Sequence, residues 1–135
     1  MMTYTEKLER LISETIDNEI NEIIESPSTL NTMYGYYSAW VQILEGIKKT
    51  SESKEETDAK MSDAAATISI DWQGVDADCV PLYLLRDYLE DFCRQHLLPE
   101  KDSAYYNAID IALDCVDWCD IAQSMEQDFC DPDNC

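Results

Sequence analysis

Basic residues are the scarcest ingredient of this chain. Nine Lys and Arg stand against 29 Asp and Glu in 135 residues, a formal net charge of −20. Binding to DNA, RNA or an anionic membrane depends on Lys and Arg displacing counterions, so the deficit argues against direct contact with any of them. Glycine is almost as rare: Gly35, Gly46 and Gly74 are scattered and build no phosphate-cradling loop. A single histidine, His96, leaves no paired Glu-x-x-His set for a carboxylate-bridged di-metal centre. No run approaches the ~18 apolar residues of a membrane span. Met1 to Arg10 is polar, without the apolar core of a secretory signal. A soluble, cytoplasmic protein is expected, with its six cysteines as free thiols.

What is present suits a globular helical protein. The chain is 45% hydrophobic, enough for one domain spanning 1–135, and Glu, Leu, Ile and Ala outnumber the helix breakers. Self-repulsion at this net charge costs stability, so solubility alone is a weak reason for it. The imbalance also grows along the chain, from 12 acids and 6 bases in residues 1–60 to 17 acids and 3 bases in 61–135.

Thr3-Tyr4-Thr5-Glu6 has the form of a capping box. Behind it Leu8, Leu11, Ile12, Ile16, Ile20, Ile23 and Ile24 recur at three and four residues, which predicts a helix to about Glu25. Pro27 ends it. A second helix is expected from near Thr29–Thr32 to Thr50, with Met33, Tyr36, Tyr37, Trp40, Leu44 and Ile47 as its apolar stripe. Its aromatic cluster reads first as core packing and second as a binding surface. Ser51 to Lys60 has no apolar residue apart from Ala59, and reads as a flexible linker or an exposed helical extension. Residues 67–72 alternate as a short strand would. After a loop at Gly74, Asp78 is placed to cap a helix with Pro81 in its first turn, running to Leu98.

The last quarter, Asp102 to Cys135, holds nine acids and no base. Read as one helix from Ser103 to about Phe129, capped by Asp102, it shows two neighbouring apolar rows. One is Tyr105, Ile109, Ala112, Val116 and Cys119; the other is Ile111, Cys115, Trp118, Ala122, Met125 and Phe129. A helix apolar over most of its circumference is surrounded by others, so the expected fold is an all-α bundle of about four main helices with this one as its central post. Residues 130–135 form a polar tail.

Little here could carry catalysis, and the sequence points away from an enzyme. A lone His96 near a helix end is ordinarily structural, and among 29 acids no single carboxylate pair is informative. Cys115, Cys119, Cys130 and Cys135 form a C-x3-C-x10-C-x4-C pattern that could bind zinc, close a disulfide in the tail, or remain inert. The spacing is not that of a zinc ribbon, and Cys115 and Cys119 lie on apolar rows where cysteine acts as a small hydrophobe. Asp128, Asp131 and Asp133 lack the glycine and terminal Glu of a calcium loop. No cofactor or metal is expected.

The carboxylates remain. Asp110, Asp114 and Asp117 would stand about 5–6 Å apart along the helix axis, on the scale of phosphates along one nucleic-acid strand. A protein that grips phosphates through Arg and Lys could accept such a ladder instead. The expected partner-binding residues are Asp110, Asp114, Asp117, Asp120 and Asp128, extended by Asp131 and Asp133. In charge, size and helicity the chain resembles the DNA-mimic inhibitors that phages and mobile elements direct against restriction or CRISPR systems. That likeness rests on no motif, so no residue role carries over. The expected partner is a basic nuclease, CRISPR effector or other nucleic-acid-binding protein. Alternatives are an immunity protein or antitoxin against a basic toxin, an oligomeric adaptor (a homodimer, for example), and a thiol-ligated metal protein.

Overall fold

The computed structural model describes residues 3–67 and 75–129. The first helix, α1 (Tyr4–Glu25), opens on the expected capping box. Thr3 Oγ1 accepts from the Glu6 amide at 3.1 Å, and Glu6 Oε2 accepts from the Thr3 amide at 3.3 Å. Ser26 then turns extended, and Pro27 both stops α1 and begins α2 (Pro27–Thr50). The second helix thus starts earlier than its apolar stripe suggested, because a proline in the first turn gives up only an amide that would be unpaired anyway.

Most of the Ser51–Lys60 stretch is helical. Ser53 Oγ accepts from the Glu56 amide at 3.1 Å and opens α3 (Lys54–Ala65), with Glu55 and Glu56 in the first turn, where the helix dipole favours acids. Thr57, Met61 and Ala65, one turn apart, are its buried row. Among the described residues there is no strand; of the segment expected to form one, Thr67 is in a turn and residues 68–72 lie outside the described residues.

The expected cap at Asp78 is corrected. Asp76 accepts from the Asp78 amide at 3.0 Å and starts a 3-10 turn, Ala77–Cys79, that leads into α4 (Val80–Leu97) with Pro81 in its first turn. Asp78 sits inside that turn, and its carboxylate goes to Lys48 Nζ at 2.6 Å.

The long C-terminal helix is also corrected. It is two helices, α5 (Tyr106–Asp114) and α6 (Trp118–Phe129). Asp102 does not cap α5: Tyr105 is its first flanking residue, without a side-chain cap, and the Tyr105 amide donates to Ser103 Oγ at 3.2 Å. The break between the helices has a local cause. Asp117 Oδ1 accepts from the Asp120 amide at 3.0 Å, which favours a new helix start over continuation. The break also lets the Trp118 indole N–H donate to the Leu113 carbonyl at 3.0 Å inside the core. Trp118 and Leu113 are both buried.

The central post is therefore α4, which packs against α2, α6, α1, α3 and α5. Leu85, Leu89 and Cys93 join Ile16, Ile20, Met33, Leu113, Trp118, Ala122 and Met125 in one buried cluster. Val80 and Leu84 join Trp40, Leu44, Met61, Ala65 and Ala77 in a second. Each fully buried Leu contributes about 1.5–3 kcal/mol, so α4, which serves both clusters, holds the bundle together. Tyr36 stacks on Tyr88 at 4.2 Å, so core packing accounts for Tyr36 and Trp40. No described helix is long and apolar enough to cross a membrane.

Candidate functional site

The carboxylates expected to form a ladder are gathered differently by the fold. Asp110 and Asp114 converge with Glu90 of α4 on one guanidinium. Arg94 Nε meets Glu90 Oε2 at 2.8 Å, Nη1 meets Asp110 Oδ1 at 2.6 Å, and Nη2 meets Asp114 Oδ1. Partial burial works against charge on Arg94, but the hydrogen bonds it donates to Glu90, Asp114 and Asp110 outweigh it and hold its pKa above the ordinary value. The Arg94 side chain is only 18% exposed, against 39% for Asp110 and 65% for Asp114. The cluster is a structural clamp between α4 and α5 that still carries more negative than positive charge.

Asp117 is exposed but occupied by capping α6, and Asp120 lies in the first turn of that helix with its side chain in solvent. Asp128 is exposed near the helix end. Asp131 and Asp133 lie outside the described residues. The ladder of equal steps is thus replaced by two groups: Asp110 and Asp114 on Arg94, and Asp117, Asp120 and Asp128 along α6.

Elsewhere the scarce cations are drawn into pairs. Arg10 pairs with Glu14, Lys48 with Asp78, Lys54 with Asp76, Lys60 with Glu56 and Arg86 with Asp87. The Asp76 bond raises the pKa of Lys54, and Lys54 together with the Asp78 amide lowers that of Asp76. Glu56 is lowered by the Glu52 amide and Lys60. Sequence stretches without any base are where negative charge accumulates: none occurs between Arg10 and Lys48, nor after Lys101. Within the first of these stretches, Asp17, Glu19, Glu22 and Glu25 are all exposed on α1.

Two concave surfaces accompany this charge. Between α1 and α5, a groove of about 700 Å³ is lined by Ile12, Ala104, Ala108, Ile111 and Cys115, with Glu6 and Arg10 at its edge. Ile111 is 62% exposed there. Between α2 and α6, a smaller cleft of about 290 Å³ is lined by Tyr34, Tyr37, Ser38, Val41, Gln42 and Phe129. Tyr37 donates its hydroxyl to Glu126 Oε2 at 2.9 Å, tying the two helices together beside this cleft.

The thiols show no metal arrangement among the described residues, where no group of three potential ligands converges. Cys93 is buried and its thiol is pushed up to about 12 by desolvation. Burial, with Asp76 and Asp78 nearby, raises Cys79. Cys115 is exposed and Cys119 half-buried, both free; Cys130 and Cys135 lie outside the described residues. His96 is exposed, with Nδ1 2.9 Å from the Phe92 carbonyl and its ring on Phe92.

Sequence reasoning missed Arg94 and the meeting of Tyr34 and Tyr37 with Phe129, although the aromatic cluster of the second helix had a binding-surface reading. The Glu90–Arg94 spacing of four residues hinted at an ion pair, but nothing local signalled Asp110 and Asp114 as further partners. The chain matches no known family model, no curated protein and no solved structure.

Proposed function

We propose that this protein is a non-enzymatic, acidic binder that occupies the nucleic-acid-binding surface of a basic protein and blocks it, as an anti-restriction or anti-CRISPR inhibitor would. The observation that carries this reading is the distribution of charge. Of the few cations, Arg10, Lys48, Lys54, Lys60, Arg86 and Arg94 are engaged in ion pairs. The exposed acids of α1 beyond Arg10 and those of α6 lie in stretches that contain no base at all. Negative charge concentrated in this way steers a cationic partner into rapid, salt-sensitive encounter. The contact surface in this reading is Asp117, Asp120 and Asp128 with the Asp131–Asp133 tail and the outer face of α1. Asp110 and Asp114 contribute the excess charge of their clamp. An immunity protein facing a basic toxin would use the same physics with another partner.

The test is capture of partners from a host-cell lysate by the purified protein, washed at low and then high salt. Recovery of a nuclease or CRISPR effector that high salt or nucleic acid releases supports the reading, and a toxin would shift it to immunity. Neutralising Asp120 and Asp128 together with Glu19, Glu22 and Glu25 as amides should then weaken capture; unchanged affinity refutes it. The apolar α1–α5 groove, with Ile111 exposed in it and Leu8, Leu11 and Tyr105 exposed on the same helices or just before them, favours a second reading as an oligomeric adaptor. That reading requires a salt-resistant oligomer in light scattering, whereas the first predicts none.

A further inference from the structure

Three aromatic rings meet where α2 faces the end of α6. Tyr34 stands edge-on to Phe129, with centroids 5.3 Å apart and planes at 76°. Tyr37 lies 5.8 Å from the same ring at 39°. These rings, with Val41, Ser38 and Gln42, line the cleft of about 290 Å³, and Tyr34 keeps 49% of its surface exposed. The Glu126 carboxylate is not part of this lining, but it accepts the Tyr37 hydroxyl at 2.9 Å and so places negative charge beside the cleft.

This combination selects its guest. Aromatic faces are negative and attract cations; the carboxylate does the same, and both repel an anion. The cleft also lies between two stretches that supply no Lys or Arg, 11–47 and 102–135. A second copy of this chain is a poor occupant. Its net charge of −20 repels, and its three arginines, Arg10, Arg86 and Arg94, already hold acids in ion pairs. A guanidinium on a flexible stem fits best, since it stacks flat on a ring while its edge N–H groups reach outward to a carboxylate.

We propose that the α2–α6 cleft is a receptor for an arginine side chain presented by a basic protein partner, with Tyr34, Tyr37 and Phe129 as the ring surfaces and Glu126 as the counter-charge. This rests on the reading that the partner is basic, and it assigns that partner one anchoring contact.

The experiment is an NMR titration of the isotope-labelled protein with acetyl-arginine-amide at constant ionic strength, alongside the neutral isostere acetyl-citrulline-amide. The expected result is saturable shifts of the Tyr34, Tyr37 and Phe129 ring signals with the arginine compound only. Tyr34→Leu keeps an apolar side chain but removes the ring, and should weaken the arginine interaction about two- to fivefold. Glu126→Gln, which preserves an acceptor for Tyr37, should weaken it as well. Equal responses to both compounds, or unchanged binding by Tyr34→Leu, would overturn the proposal. If arginine-amide bypasses the cleft while an oligo-arginine peptide still binds in a salt-sensitive way, the cleft is refuted and the acidic-binder reading stands. If neither binds, both fall.

Discussion

Replacing Arg94 with Met keeps much of the stem and removes the guanidinium that three carboxylates share. Glu90, Asp110 and Asp114 then face one another around a position whose wild-type side chain is only 18% exposed. Exposed ion pairs are worth about 0.2–1 kcal/mol each, whereas orphaning a charge in a buried pair costs about 3–5 kcal/mol. The Asp114 contact, with that carboxylate 65% exposed, belongs near the lower limit; Glu90 at 35% and Asp110 at 39% lie between the limits. The expected net loss is about 2–3 kcal/mol. For a chain of this size that lowers the thermal midpoint by roughly 6–10 °C. Urea and thermal unfolding followed by helical circular dichroism read both quantities. Because the loss is partly repulsion among carboxylates, it should shrink in 1 M salt, where the screening length falls to about 3 Å. Adding Asp110→Asn and Asp114→Asn to the Met variant should restore part of it. An unchanged midpoint would refute the reasoning, as would a loss indifferent to both salt and the Asn substitutions. Asp110 and Asp114 would then be held by nothing of consequence and be as available to a partner as the sequence first suggested.

Asp117→Ala removes the acceptor for the Asp120 amide at the start of α6 and should cost about 1 kcal/mol in urea unfolding; no loss would mean that Trp118 burial alone sets the break. The stability lost in Lys54→Met should shrink at both ends of the pH scale. The lowered pKa of Asp76 gives stability present above its unfolded value of about 3.9 and lost as pH falls through the folded one. The raised pKa of Lys54 gives stability present below about 10.4 and lost as pH rises through the folded value. Unfolding midpoints of variant and wild type should therefore differ between those limits and converge outside them; a constant offset would remove the pair from consideration. In native protein at neutral pH, a thiol reagent should modify exposed Cys115 quickly and Cys93 only on unfolding, since burial pushes Cys93 up to about 12. Mass mapping that finds Cys93 modified first would refute its burial.

The helices whose signals are local were readable from the chain. Thr3 and Glu6 announce α1, its isoleucines recur at helical spacing, and Pro27 marks the boundary to α2. The start of α3 was hidden because Ser51 to Lys60 has almost nothing apolar; its buried row, Thr57, Met61 and Ala65, consists of a hydroxyl, a thioether and a methyl. The C-terminal region misled for a different reason. Two apolar rows on one imagined helix are also what two shorter helices produce when each turns a different side to the core. Asp117 was counted as a rung of a ladder when its spacing to Asp120 also suits a helix start. Side-chain periodicity does not separate those roles; the Trp118 indole reaching back to the Leu113 carbonyl does, and that is a tertiary contact. Arg94 escaped for the same cause, since its partners Asp110 and Asp114 lie on another helix.

These pairings change where a binding surface should be sought. In a chain with few cations, each Arg or Lys gains most where several carboxylates can surround it, and Arg94 has settled at such a place. The row of acids that the sequence singles out, Asp110, Asp114 and Asp117, is therefore not the row most available to a partner, because closely set carboxylates attract an internal cation. Availability follows instead from where the fold sends its cations: within the base-free stretches 11–47 and 102–135, Arg10 takes Glu14 and Arg94 takes Asp110 and Asp114. α1 beyond Arg10 belongs to the first stretch, α6 belongs to the second, and the Tyr34–Phe129 cleft joins the two stretches. A cationic surface approaching there meets the exposed carboxylates of Asp17, Glu19, Glu22, Glu25 and Asp120, whereas one approaching Asp110 and Asp114 must compete with Arg94. Charge reversal should expose the difference: Glu22→Lys should impair capture of a basic partner while sparing stability, and Asp110→Lys should impair folding first.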